Sequence, residues 1–182
     1  MIDYKTFKKE FLNEWVNRSQ AARKAAEELA MKDGTSLRDK YRFIMTLNGK
    51  QLEFKDENEK KPDDPKYNLF TYDEAMERFA NPDKDGWRLP SMEELELLST
   101  LPYNAESGIG VFNDKFGLPL MGSRGLAEPH FVAFYQERGR YWSSTPVDID
   151  RAWHLYLNKE KTYMLEKDKK YECSVRLVRD VN

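Results

Sequence analysis

Three short segments rich in Trp and Arg constrain this chain more than any other feature: Gly86-Trp87-Arg88-Leu89-Pro90, Gly139-Arg140-Tyr141-Trp142-Ser143-Ser144-Thr145 and Val175-Arg176-Leu177-Val178-Arg179. Tryptophans of this kind must find a core. Each guanidinium drawn in beside them needs a partner, since an unpaired buried one costs several kcal/mol, on the order of 3–5. The middle segment reads as one central strand, and the other two are expected to pack beside it. Trp87, Arg88, Trp142, Ser143, Ser144, Trp153 and Arg176 are therefore expected to be framework, with Arg88 or Arg176 hydrogen-bonding the backbone of a loop.

Around that frame the chain divides in two. Residues 1–66 read as an arm. Phe7, Phe11 and Trp15, then Ala22, Ala25, Ala26 and Leu29, recur at helical spacing, which predicts an amphipathic helix whose apolar stripe must be buried somewhere. Asn48-Gly49 between two apolar-rich runs predicts a β-hairpin, because both central residues of a type I′ turn need positive φ. The charged stretch Lys55 to Lys66 that follows reads as a solvated linker. Residues 67–182 read as the body. Thr71-Tyr72-Asp73-Glu74 and Ser91-Met92-Glu93-Glu94 are both capping boxes, and each announces a short helix. The first is expected to bury Ala75, Met76 and Phe79, and the second Leu95, Leu98 and Leu101, with Pro102 preventing continuation. Six of the nine glycines lie between Gly108 and Gly139. That segment, 102–139, shows no clear period and is expected to be long, irregular and the place of ligand contact. The last forty or so residues alternate as an antiparallel ladder.

The chemistry-bearing residues make weak sites. Asn81 to Gly86 alternates oxygen side chains like a calcium loop, but Met92 stands where a bidentate Glu is required, so a turn delivering Trp87 is the better reading. Ser143 and Ser144 lack a nucleophile elbow. His130 and His154 are the two histidines and have no carboxylate cluster beside them. No catalytic residue, metal or cofactor is therefore expected. The ligand-binding candidates are the polar residues expected at loop edges: Asn113, Asp114, Ser123, Arg124, Glu128, His130, Asp148 and Asp150.

The Trp-Arg-Leu-Pro segment, Trp142-Ser143-Ser144-Thr145, Ala152-Trp153 and Val175-Arg176-Leu177-Val178-Arg179 together resemble the Fibrobacter succinogenes major paralogous domain family and its relative of unknown function sharing these motifs. The resemblance covers about Tyr67 to Asp180. It implies an α+β, C-type-lectin-like fold, with two short helices packed on a small twisted antiparallel sheet and a long irregular loop segment. Calcium-dependent sugar binding is not implied, since Glu128-Pro129-His130 and Trp142-Ser143-Ser144 replace the calcium-ligand motifs of true C-type lectins. Nor is formylglycine-generating chemistry, which uses a pair of cysteines where this chain has only Cys173. The same fold carries the hypervariable proteins of diversity-generating retroelements, so loops varied on a fixed frame are a further implication.

Charge and composition narrow the partners. Thirty basic residues against 32 acidic leave a formal charge of −2, without the basic field that holds nucleic acid. No apolar run approaches the ~18 residues of a membrane helix. The chain opens without an apolar signal core and is expected to be cytoplasmic, with a virion or cell surface as the alternative setting. The leading expectation is a non-catalytic recognition module displaying loops 102–139 and 146–151 to a protein or glycan. One alternative is a structural or assembly protein of a phage or cell-surface particle, oligomerising through Phe7, Phe11 and Trp15. A hydrolase or metal enzyme of unrecognised type is the third.

Overall fold

Asn48 and Gly49 sit at φ 51° and 80°, the left-handed pair of a type I′ turn, and close the first hairpin where the sequence places it. In this computed structural model, which describes residues 42–106, 109–112, 116–125 and 131–181, the hairpin joins β1 (Phe43–Leu47) to β2 (Lys50–Phe54). The expected helix through Phe7, Phe11 and Trp15 lies outside the described residues. The chain does not leave the body after the hairpin. Lys55 N–H donates to the Leu177 carbonyl and Glu59 N–H to that of Val175, both at 2.9 Å. The compact unit begins at Arg42, so the hairpin and the charged stretch after it belong with residues 67–181.

Both helices start as their capping boxes dictate. Thr71 precedes α1 (Tyr72–Phe79) and Ser91 precedes α2 (Met92–Ser99), and in each the hydroxyl accepts from the third amide while the Glu carboxylate returns to the cap's own N–H. Pro82 and Pro102 follow closely on their ends and prevent extension. No helix among the described residues is long and apolar enough to cross a membrane.

The other described elements are strands: β3 (Asn104–Glu106), β4 (Ile109–Val111), β5 (Gly117–Pro119), β6 (Ser123–Arg124), β7 (Val132–Ala133), β8 (Arg138–Pro146), β9 (Arg151–Asn158), β10 (Thr162–Asp168) and β11 (Val178–Val181). They form four small sheets, in the orders β1-β2-β11, β10-β9-β8, β3-β4-β5 and β6-β7. This overturns the α+β, C-type-lectin-like expectation. The protein is β-rich, with helix confined among the described residues to two eight-residue segments. The physical reason is twofold. Prolines hold both helices to about two turns, and much of the segment expected to be irregular pairs with itself as short antiparallel strands. β10 also runs on through the charged residues Glu166 to Asp168.

Two apolar clusters fill the interior. One gathers Phe43, Phe54, Leu95, Leu98, Phe116, Tyr141, Leu155 and Leu157, and the other Phe70, Ala75, Trp87, Leu89, Trp142, Cys173 and Val175. Tyr141 and Trp142, adjacent on β8, point to opposite sides and contribute one to each cluster.

Candidate functional site

The Trp142 to Thr145 segment is where the frame is joined. Trp142 is fully buried, donates its indole N–H to the Phe70 carbonyl at 2.9 Å and meets the edges of Tyr72 and His154. Opposite His154 the β8–β9 register is regular. It resumes only at Pro146 opposite Ala152, so residues 143 to 145 bulge out against the single Trp153. Ser143 Oγ donates to the Trp153 carbonyl at 2.8 Å and accepts from Thr145 N–H at 3.2 Å, which fixes the bulge. Ser144 N–H then donates to the Pro90 carbonyl at 2.7 Å, while Thr145 Oγ1 accepts from Met92 N–H at 2.9 Å. The bulge therefore caps α2. Its buried serine hydroxyl is committed to backbone and is not placed for nucleophilic attack.

The two framework arginines do different work. Arg176 is 1% exposed and donates to the Lys55 carbonyl at 2.7 Å, Asn58 Oδ1 at 3.0 Å and the Gly117 carbonyl at 3.1 Å. It ties the loop after β2 and the start of β5 to the core through neutral acceptors, and burial pushes its pKa below the ordinary value. Arg88 instead makes a bidentate pair with Glu94, both oxygens at 2.7 Å, and reaches Asp180 at 3.1 Å. Glu94 is also the capping-box carboxylate of α2, so this one side chain joins the Trp-Arg-Leu-Pro segment to the helix it starts. Trp87 is buried beneath the Arg179 guanidinium, 4.6 Å from its ring. It is delivered there by Asp83, whose carboxylate accepts from Asp85 and Trp87 N–H groups.

Among the described residues, no hydrogen bond or ion pair joins Ser123 and Arg124 to Asp148 and Asp150. Asn113, Asp114, Glu128 and His130 lie outside the described residues. Ser123 is buried and accepts from Arg140 Nη1 at 2.6 Å. Arg124 is paired with Glu172 and with Asp64, the latter at 3.1 Å, and joins β6 to the C-terminal segment. Asp148 accepts from the N–H groups of Asp150 and Arg151 and holds the Arg151 guanidinium, so it staples its own loop. Asp150 is exposed beside Ile149, which is 89% exposed.

What the polar candidates missed is aromatic. Phe131, just before β7, and Phe134 and Tyr135, on the turn from β7 into β8, are 59%, 42% and 44% exposed. Phe134 and Gln136 lie at φ 61° and 62°, and a bulky residue held in the left-handed region stores roughly 1–3 kcal/mol of strain. Surrounding bonds impose it. Gln136 N–H donates to the Leu120 carbonyl and Gly122 N–H to that of Arg138, both at 2.7 Å, and Glu137 and Arg138 N–H groups both donate to the Phe134 carbonyl at 3.0 Å. Gly122 itself is at φ 74°, and a Cβ there would lie 2.3 Å from the Ala133 carbonyl. The Arg138 guanidinium covers Phe134 at 3.6 Å, and Tyr67 meets Tyr135 edge-on at 5.5 Å. Three aromatics within the apolar run Phe131-Val132-Ala133-Phe134-Tyr135 are the available sequence signal.

His154 is the other unusual group. It is 1% exposed, and neither ring nitrogen has a hydrogen-bond partner of ordinary geometry. Burial first, then the charges of Arg140 and Lys167, push its pKa down to about 3, which the nearby Leu165 backbone offsets only in part. The ring is neutral at pH 7. Among the described residues no group of three or more His, Cys, Asp or Glu side chains is placed to hold a metal ion. Compared with models of protein families and with curated proteins, the chain matches none.

Proposed function

We propose that the protein is a non-catalytic recognition module, and that its contact surface is the aromatic turn Phe131 to Arg138 within the 102–139 segment, with the exposed Ile149 of the 146–151 loop as a second contact point. The observation carrying this reading is the strained, backbone-locked turn at Phe134 and Gln136, which shows Phe134 and Tyr135 to solvent beside the exposed Phe131. Exposed aromatics normally fold inward, whereas here several hydrogen bonds hold them out. A surface ordered in advance loses little conformational entropy on binding. Rigid aromatics beside an Arg are also the groups that dominate binding energies, on a protein partner or on the apolar face of a sugar ring. The committed hydroxyl of Ser143 and the isolated, neutral ring of His154 support a binding role over a catalytic one. The order of the Trp-Arg-Leu-Pro, Trp-Ser-Ser-Thr and Val-Arg-Leu-Val-Arg motifs supports, on the motifs alone, a relation to the Fibrobacter succinogenes major paralogous domain family.

Glycan and protein arrays probed with the chain and with Phe134→Gly test the reading. The variant accepts φ 61° without strain and is expected to be at least as stable as the parent, yet to lose array binding about ten-fold or more. Arrays that bind nothing above background, or that bind the variant equally well, sink the proposal.

A further inference from the structure

Phe134 carries over its ring a guanidinium that the fold leaves unused. Arg138 is half-buried and lies 3.6 Å from the Phe134 ring centroid, a stacking distance. Arg42, Arg88, Arg124, Arg140, Arg176 and Arg179, the other arginines drawn partly or wholly inside among the described residues, each donate from the guanidinium to a protein oxygen. Among the described residues the Arg138 guanidinium makes no such bond. None of its nitrogens is buried without a partner, so its free donors open to solvent. Glu137 precedes it on the same turn, exposed, and forms no ion pair with it.

Its position is fixed all the same. Arg138 N–H donates to the Phe134 carbonyl, and the Arg138 carbonyl accepts from Gly122 N–H, so ring and guanidinium ride on one locked turn. Stacking restrains the guanidinium plane and leaves the N–H groups along its rim, the edge that meets a carboxylate with two parallel bonds. A second cation stands beside the same aromatics. Tyr135 meets Tyr67 edge-on at 5.5 Å, and Lys66, exposed, lies 4.7 Å from the Tyr67 ring. Among the described residues Lys66 has no carboxylate partner either.

We propose that the aromatic turn binds a protein segment in which an Asp or Glu is flanked by apolar side chains. The carboxylate meets the Arg138 rim, and its apolar neighbours cover the exposed parts of Phe134 and Tyr135. This rests on the recognition reading and narrows it to one class of partner. Phe, Tyr and Arg are the residues in which protein–protein contact surfaces are enriched, and a charge-assisted bond to a carboxylate is about twice as strong as a neutral one. A protein segment fits better than a sugar. One face of Phe134, on which a sugar ring would stack, is taken by Arg138, and the Phe134 carbonyl, which a sugar hydroxyl would seek, already accepts from the N–H groups of Glu137 and Arg138.

An array of synthetic peptides mixing Leu, Phe, Asp and Glu, with a matched set carrying Asn and Gln in place of Asp and Glu, is probed with the full-length chain. The chain is expected to bind the acidic set about ten-fold more tightly than the amide set. Arg138→Met keeps an apolar stem against Phe134 and removes no side-chain bond, so its Tm is expected to stay unchanged while the preference for the acidic set disappears. Arg138→Lys keeps the charge without the planar fork and is expected to retain only part of the preference; it decides the matter should the Met variant fail to fold. Lys50→Gln, with Lys50 exposed at the start of β2, is expected to keep the preference. Equal binding of both sets, lost in Phe134→Gly, overturns the acidic partner and leaves the recognition reading standing. The proposal is also overturned if the parent binds neither set, if acidic glycans bind where the peptides do not, if Arg138→Met keeps the full preference, or if Lys50→Gln loses as much of it as Arg138→Met.

Discussion

His154 shows how one side chain can make the whole protein sensitive to acid. In the unfolded chain the ring titrates near its ordinary 6.5, whereas in the fold burial and two neighbouring cations hold it at about 3. Below pH 6.5 the unfolded state binds a proton that the folded state refuses. The stability that this neutral ring contributes is therefore complete above pH 6.5 and is lost progressively as pH falls towards 3, by about ten-fold in the folding equilibrium per pH unit. Phe at position 154 would keep an aromatic edge against Trp142 and remove the titration. Urea unfolding from pH 7 to pH 4 is expected to show a steep loss of stability in the parent and a shallower one in His154→Phe; parallel curves would mean the ring protonates freely in the fold. Glu53 adds to the acid response in the same direction. Burial alone would raise its carboxyl, but bonds from Arg42 and Arg179 outweigh that and hold it below the ordinary value.

At the scale of elements, the bulge of β8 and the start of α2 are one device. Thr145 Oγ1 is the acceptor for Met92 N–H, an amide that the Ser91 capping box does not reach. Thr145→Val keeps the shape and leaves that N–H without its acceptor, which should cost about 1–2 kcal/mol in chemical denaturation, with Thr145→Ser recovering most of it. No loss in the Val variant would show that solvent caps the helix as well as the bulge does. Much of this level is legible from sequence because the signals are local. Capping boxes and Asn-Gly act within four residues, and each landed where it was read. Strands β3 to β6 are not legible. At two or three residues each, they are too short to display an alternation, and their pairing depends on partners that no local pattern names. The polar candidates are hard to rank from sequence for a related reason. Ser123, Arg124 and Asp148 are polar but consumed by internal bonds, while Phe134 and Tyr135 are apolar but held outward by backbone bonds that composition does not reveal.

For the whole molecule, the decisive fact is that the two ends of the described chain share a sheet. β2 lies between β1 and β11, pairing Phe54 with both Phe43 and Val178. A charged stretch such as Lys55 to Lys66 looks like a linker because polar side chains signal exposure, yet its backbone bonds to Val175 and Leu177 and its carbonyl at Lys55 receives Arg176. Lys61 within it is 5% exposed and bonded to Glu74 at 2.8 Å. Removing residues 1–66 would thus strip β11 of its strand partner β2 and expose Val178. It would also leave the buried Arg176 without two of its acceptors, a defect on the order of 3–5 kcal/mol that is comparable with the entire stability of a domain this size. A fragment of residues 42–182 is accordingly expected to unfold cooperatively, as the compact unit should, and a fragment of residues 67–182 to show no cooperative transition by calorimetry. A cooperative transition in the shorter fragment would mean that the sheet of β1, β2 and β11 is an accessory to the fold, and that the frame of Trp142, Arg88 and Glu94 suffices to hold it.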